Sequence, residues 1–252
     1  MDKQFPNKLY KYKGIQDKID FDRIIDIIES EKIYIPTREE LNDPLEGAHI
    51  PPVRYGICGG WNYDARHQIP HYAENIINQY RILSLSADER NMQMWAHYGN
   101  NYEGVCFEFS TNGVFGKAKP VNYDEAPIGE ALYEPNEEEL KKVIENGYFY
   151  KSKGWESEKE YRIITDYSCS ELKFDRKDIL SIFIGHNVAD EYRDILYDTC
   201  KRYNIPVYCT WFGNYDYKLY LIEIEAILNE KWQDGKDILY YEKDEAIRKY
   251  MK

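Results

Sequence analysis

Three glutamates at two-residue spacing, Glu156, Glu158 and Glu160, lie in the stretch KSKGWESEKEYRIIT from Lys151 to Thr165. They run into Tyr161-Arg162-Ile163-Ile164-Thr165, whose β-branched and aromatic bias reads as a strand. On an extended backbone residues i and i+2 face the same way, so Glu158 and Glu160 are expected side by side at a strand entrance. Like charges so placed weaken a sheet. In a cleft, one such carboxylate can accept a hydrogen bond from a substrate hydroxyl and steady a developing cation. The other can act as general base for an incoming nucleophile. The plain alternative is a solvated strand entrance, with Arg162 paired to one of them.

His97, in MWAHYG, is the next candidate. A histidine beside Trp95 and Tyr98 can bind a ligand or shuttle a proton near neutral pH. Its plain alternative is a partly buried core residue, with Trp95 and Tyr98 as packing. Ser84 and Ser86 flank Leu85 and so share one strand face, where two hydroxyls can hold a ribose or phosphate; the usual meaning of such a pair alone is a strand leaving the core. Asn42, Asp43 and Glu46 stand in the turn LNDPLEG and could join Glu108 and the later glutamates around metal ions, as in a metal-dependent nuclease or phosphodiesterase. An Asn-Asp-Pro turn also accounts for them. The chain has no HExxH, P-loop, GxSxG or glycine-rich dinucleotide fingerprint.

Alternating and helical periodicities give the elements that must position these residues. Leu9 to Lys13 reads as a first strand closed by Gly14, and Phe21 to Ile28 as a helix capped by Asp20. Lys32 to Pro36, Arg81 to Ser86, Val105 to Phe109 and Val121 to Tyr123 read as strands. Asn91 to Gly104 begins with one or two helical turns. Asn136 caps a helix running to Asn146, and Tyr72 to Tyr80 suggests a short one. Ile179 to Ile184, Pro206 to Trp211 and Leu219 to Ile224 complete the strands, with a helix over Ala189 to Tyr203. Lys231 to Lys252 reads as a peripheral helix or tail. The expectation is one α+β domain over residues 1–252.

The 252 residues carry 33 basic and 45 acidic side chains, a net charge of −12. That argues against nucleic-acid binding through a broad basic face, since non-specific affinity comes mainly from phosphate neutralisation. Cys58, Cys106, Cys169, Cys200 and Cys209 are odd in number and scattered, which predicts reduced thiols. With no apolar leader and no run near the ~20 residues that span a bilayer, the expected location is the cytoplasm, with no membrane partner.

Taken in order, LYKYK, IYIPTREELNDPLEG, ILSLS, MWAHYGNNYEGVCFEF and KGWESEKEYRII resemble a bacterial domain family of unknown function, over most of the chain. That family looks distantly like the ADP-ribosyltransferases. The resemblance implies a mostly antiparallel, split or strongly twisted sheet flanked by helices, with three strand motifs around NAD as substrate and no metal. Tyr10, Lys11 and Tyr12 would stand at the first motif, Ser84 and Ser86 at the second, and Glu158-Lys159-Glu160 at the third. Glu160 would hold the ribose 2′-hydroxyl and stabilise the oxocarbenium ion as nicotinamide leaves, and Glu158 would orient the acceptor. Trp95 or Tyr98 would pack against nicotinamide, Arg162 joins the cofactor-binding set, and His97 is a catalytic candidate with no counterpart in the scheme. The first strand departs from the pattern, offering Lys11 and Lys13 but no Arg or His. The implied activity is ADP-ribosyl transfer or NAD hydrolysis, as in bacterial toxins or anti-phage defence effectors, with a protein or nucleic-acid acceptor. The alternatives are the metal-dependent enzyme above and a non-enzymatic nucleotide-sensing or protein-binding module.

Overall fold

The structure is a computed structural model, and it describes residues 5–43, 53–54, 76, 78–123, 132–133, 136–212 and 218–224. Glu46, most of the expected helix over Tyr72 to Tyr80 and the expected segment Lys231 to Lys252 fall outside them. In chain order the strands begin with β1 (Lys8–Gly14), β2 (Lys32–Tyr34), β3 (Val53–Arg54), β4 (Tyr80–Ser86), β5 (Gly104–Ser110) and β6 (Lys119–Pro120). They continue with β7 (Leu132–Tyr133), β8 (Glu160–Asp166), β9 (Glu171–Lys173), β10 (Ile179–Ile184), β11 (Val207–Phe212) and β12 (Leu219–Glu223). The helices are α1 (Lys18–Ser30), α2 (Met92–His97), α3 (Glu137–Gly147) and α4 (Asp190–Arg202). The protein is α+β, and its sheet pairings are mostly antiparallel.

The chain folds as two compact units, each assembled from separated segments. Residues 1–32, 85–116 and 173–252 form the first, and 33–84 and 117–172 the second. In the first unit the strand order is β12-β11-β10-β5-β1, with the end of β4 next to β1 through Tyr10 and Ser86. β1 and β5 zip antiparallel over their full lengths, from Lys8 opposite Ser110 to Gly14 opposite Gly104. Every residue of β5 is buried, so both its faces are covered. Tyr10, Tyr12, Cys106, Phe183, Leu219 and Leu221 pack with Trp95 of α2. Phe109 stacks on Phe115 with ring centroids 4.0 Å apart, and Phe107 and Phe174 join them. Burying each such ring contributes roughly 1.5–3 kcal/mol. α1 meets α4 through Phe21 stacked on Tyr192. Its N-cap is Asp17, which accepts from the Asp20 N–H, and not Asp20 itself, because the helix starts before its first buried residue.

After α2 the chain makes a left-handed turn of three non-glycine residues, Asn100 (φ 48°), Asn101 (φ 52°) and Tyr102 (φ 66°). Each costs about 1 kcal/mol or more. Tyr102 is held there by Gly185, at the end of β10: a Cβ on Gly185 would lie 2.0 Å from the Tyr102 carbonyl oxygen. Gly185→Ala is therefore expected to cost about 2 kcal/mol or more in urea unfolding, because backbone must move to admit the methyl.

The second unit orders β4-β8-β6, adds a pairing of β2 with β9, and pairs β3 with β7 in parallel. Asn136 caps α3 as expected, in a reciprocal capping box with Glu139. Leu140, Ile144 and Tyr148 pack against Ile76, Tyr80 and Ile82. The strand expected over Val121 to Tyr123 is not one. β6 occupies Lys119–Pro120, and Asn122 bridges Tyr150 alone, its N–H and C=O going to Phe149 and Lys151.

Candidate functional site

The stretch that opened the chain's chemistry folds as two elements and a kink. Lys153–Glu158 is a 3-10 turn, Lys159 follows in the left-handed region at φ 48°, and β8 begins at Glu160. Glu158 and Glu160 are thus not successive same-face residues of one strand, as their spacing suggested. The kink at Lys159 costs about 1 kcal/mol, and both carboxylates nevertheless reach the same ammonium. Lys151 Nζ lies 2.6 Å from Glu158 Oε2 and 3.1 Å from Glu160 Oε2. All three residues are buried, with 4–6 % of their surface exposed, so the solvated strand entrance is also overturned.

Arg162 shares the strand face of Glu160 and forks onto it. Its Nε and Nη2 each lie 2.8 Å from a Glu160 oxygen, and its Nη1 donates to the Tyr148 carbonyl. The Arg162 side chain is fully buried. Ser84 of β4 adds a further hydrogen bond to Glu160. The backbone of Glu160 is fixed as well: its N–H donates to Tyr123 Oη at 2.8 Å, and its carbonyl accepts from the Val121 N–H. Lys151 is set by its own N–H, which donates to the Asn122 carbonyl, and its ammonium lies 5.1 Å from the Trp155 ring centroid. Two anions and two cations make the centre neutral.

Burial pushes the Glu160 carboxyl up, but the Arg162 guanidinium, its hydrogen bonds, Lys151 and Ser84 outweigh it and hold the group down at about 2. A depressed carboxylate stabilises the fold above its unfolded-state value, here 4.5, and loses that contribution as pH falls through its folded value. The gap corresponds to roughly 3 kcal/mol. In urea unfolding, the advantage of the wild type over Glu160→Gln is expected to be full at pH 6 and to shrink steadily between about pH 4.5 and pH 2.

The sequence singled out Glu158, Glu160, Arg162 and Ser84, and the second unit brings all four together. It passed over Lys151, seven and nine residues from its two carboxylates, because the chain between them is a 3-10 turn and a left-handed kink, not one regular helix or strand. Tyr123 was likewise read only as part of a strand.

Apart from Asn42 and Asp43 in the second unit, the remaining described candidates lie in the first unit, among different neighbours. Tyr12 donates from Oη to the Asp88 carbonyl and meets Trp95 edge-on. Trp95 is fully buried, donates from its indole N–H to the Glu89 carbonyl, and stacks on Tyr102. Tyr98 packs against the same core, and Lys11 of β1 is half-buried. Tyr10 lies on the buried Glu108, which also accepts from Ser181 and pairs with Lys8 at 2.8 Å. Ser86 accepts from the Asp88 N–H, closing the turn after β4. His97 ends α2 exposed, not as a partly buried core residue. Asp43 is buried. Among the described residues no three of His, Cys, Asp and Glu gather as a metal ion would need. The four described cysteines are free thiols, and no described helix is long and apolar enough to cross a membrane.

This is an α+β protein whose second unit encloses a neutral centre of two carboxylates and two cations. Residues 94–163 match the model of a family described as protein of unknown function, DUF2971. That segment holds every member of the centre except Ser84. Neither the curated proteins nor the solved structures give a significant match.

Proposed function

We propose that the protein cleaves the nicotinamide–ribose bond of NAD and passes the ADP-ribosyl group to an acceptor or to water, with Glu160 at the reacting centre. The observation that carries this reading is the hydrogen bond between Ser84 on the small-hydroxyl strand and Glu160 on the glutamate strand, two strands that are neighbours in the sheet. It supports the order of motifs that the resemblance implies.

A carboxyl held near 2 is a weak base, so the role of Glu160 is electrostatic. Its negative charge stabilises the oxocarbenium ion that forms as the C–N bond breaks and the electron pair leaves with the pyridine nitrogen. The ribose 2′-hydroxyl takes the place of Ser84, an uncharged donor to Glu160 among the described residues. Glu158 orients the acceptor, which forms the new bond to the ribose carbon and releases its proton. Lys151 and Arg162 keep the carboxylate oriented at no reorganisation cost during the reaction.

One observation favours a second reading, a nucleotide-binding module without turnover: four donor groups from Arg162, Lys151 and Ser84 already engage Glu160. The two readings separate when NAD is added. Both predict a rise in melting temperature, since a ligand that binds only the folded state stabilises it. Nicotinamide then accumulates for the enzyme and stays absent for the module. No thermal shift and no nicotinamide would remove both.

A further inference from the structure

Arg81, the second residue of β4, carries a charge that the centre at Glu160 does not use. Residues three apart on a strand point to opposite faces, so Arg81 lies on the other face of β4 from Ser84. It is buried, with 9 % of its surface exposed, against two tyrosines that are not, Tyr34 at 46 % and Tyr167 at 56 %. Its guanidinium carbon lies 5.7 Å from the Tyr34 ring centroid and 4.7 Å from that of Tyr167. Nε donates to the Tyr167 carbonyl at 2.7 Å, and Nη1 donates to the Ile35 carbonyl at 2.9 Å and the Tyr34 hydroxyl at 3.3 Å. That hydroxyl in turn donates to Glu40, so Glu40 meets the arginine only through it. Glu40 is held in place by the Thr37 N–H and hydroxyl.

These bonds engage Nε and Nη1 and leave both N–H groups of Nη2 over. Among the described residues neither has a hydrogen bond, and no carboxylate forms an ion pair with Arg81. Nη2 is not among the side-chain atoms sealed from water without a partner, so it opens to solvent. A cation taken mostly out of water without a contacting anion is unfavourable, and the two rings offset only part of that. The fork that grips a carboxylate bidentately uses two nitrogens, and one of them is already engaged. A compact tetrahedral anion can still accept both N–H groups of the one nitrogen left. We propose that Arg81, shielded by Tyr34 and Tyr167, is an anion-binding site for a phosphate group, either free or as the monoester of a small molecule. The site is separate from the centre at Glu160 and does not depend on the NAD reading.

The test is a titration of the wild-type protein with inorganic phosphate in place of chloride at constant ionic strength, followed by proton–nitrogen NMR. The backbone amides of Tyr34, Ile35 and Tyr167 should shift saturably, with a dissociation constant on the order of 1 mM. Acetate should bind more weakly, and Arg81→Gln should abolish the saturable shift. Glu40→Gln, at an exposed side chain, removes the opposing charge behind Tyr34 and should tighten phosphate binding about threefold. Phenyl phosphate distinguishes the two sources: tighter binding than phosphate assigns the site to an aromatic monoester, and equal binding assigns it to the free anion. No saturable shift, shifts confined to other residues, or acetate binding as tightly as phosphate would overturn the proposal. So would phosphate binding that survives Arg81→Gln. Should that variant fail to fold, Glu40→Gln decides, and affinity unchanged from wild type counts against the site.

Discussion

Arg162→Leu is expected to destabilise the protein by about 3–5 kcal/mol, the largest stability effect of any single change at the centre. The arginine is fully buried and gives two hydrogen bonds to Glu160 and one to the Tyr148 carbonyl. Removing it leaves Lys151 to neutralise Glu160 and takes a donor from the Tyr148 carbonyl. The loss therefore comes from an uncompensated buried carboxylate more than from the pair's net worth. A double-mutant cycle exposes that difference: Arg162→Leu/Glu160→Leu should recover much of what the single change loses, because no orphan charge remains. Arg162→Lys should behave more like the leucine variant than like wild type, since an ammonium cannot form the two-pronged contact. A loss below about 1 kcal/mol for Arg162→Leu, of the size seen for exposed ion pairs, would show that water reaches the centre freely.

Glu160→Gln is expected to reduce nicotinamide release from NAD on the order of 10²-fold or more, with NAD binding changed far less. Glutamine keeps the shape and one acceptor but withdraws the charge that the oxocarbenium ion needs. The same substitution leaves Lys151 and Arg162 with Glu158 as the remaining anion, so its folding must be checked by circular dichroism beside the assay. Glu158→Gln should act differently. A residue that orients the acceptor should slow transfer more than it slows hydrolysis to free ADP-ribose. Equal losses in both reactions would assign Glu158 to the shared step of bond cleavage.

Elements with strong local signals were legible from the chain. Ile179 to Ile184 is apolar except for Ser181 and forms β10 at those limits. Asn136 with Glu139 is a capping box, and α3 starts where it says. Trp95, read either as packing or as a partner for nicotinamide, is fully buried. The centre was legible only in part. Glu158 and Glu160 stand out by type, but their arrangement depends on Lys159 adopting a left-handed backbone, which a lysine does not announce. Ser84 and Tyr123 arrive from remote segments, and Lys151 reaches its partners through the loop after α3, so no spacing rule reports them. Val121 to Tyr123 shows the limit from the other side. Its β propensity is real, but Asn122 pairs with the segment after α3 instead of extending a strand.

His97 illustrates how little a residue type fixes by itself. The same MWAHYG motif sends Trp95 into the core and leaves His97 exposed at the end of a six-residue helix. Its alternation is that of an amphipathic turn, with one side chain toward β1 and the next toward water.

The most direct measurement is nicotinamide release by the purified wild-type protein at high enzyme concentration, followed over hours with NAD and parallel Glu160→Gln protein. The account predicts nicotinamide from the wild type and on the order of 10²-fold less from the variant. Folded wild-type protein that neither binds NAD nor consumes it would contradict it.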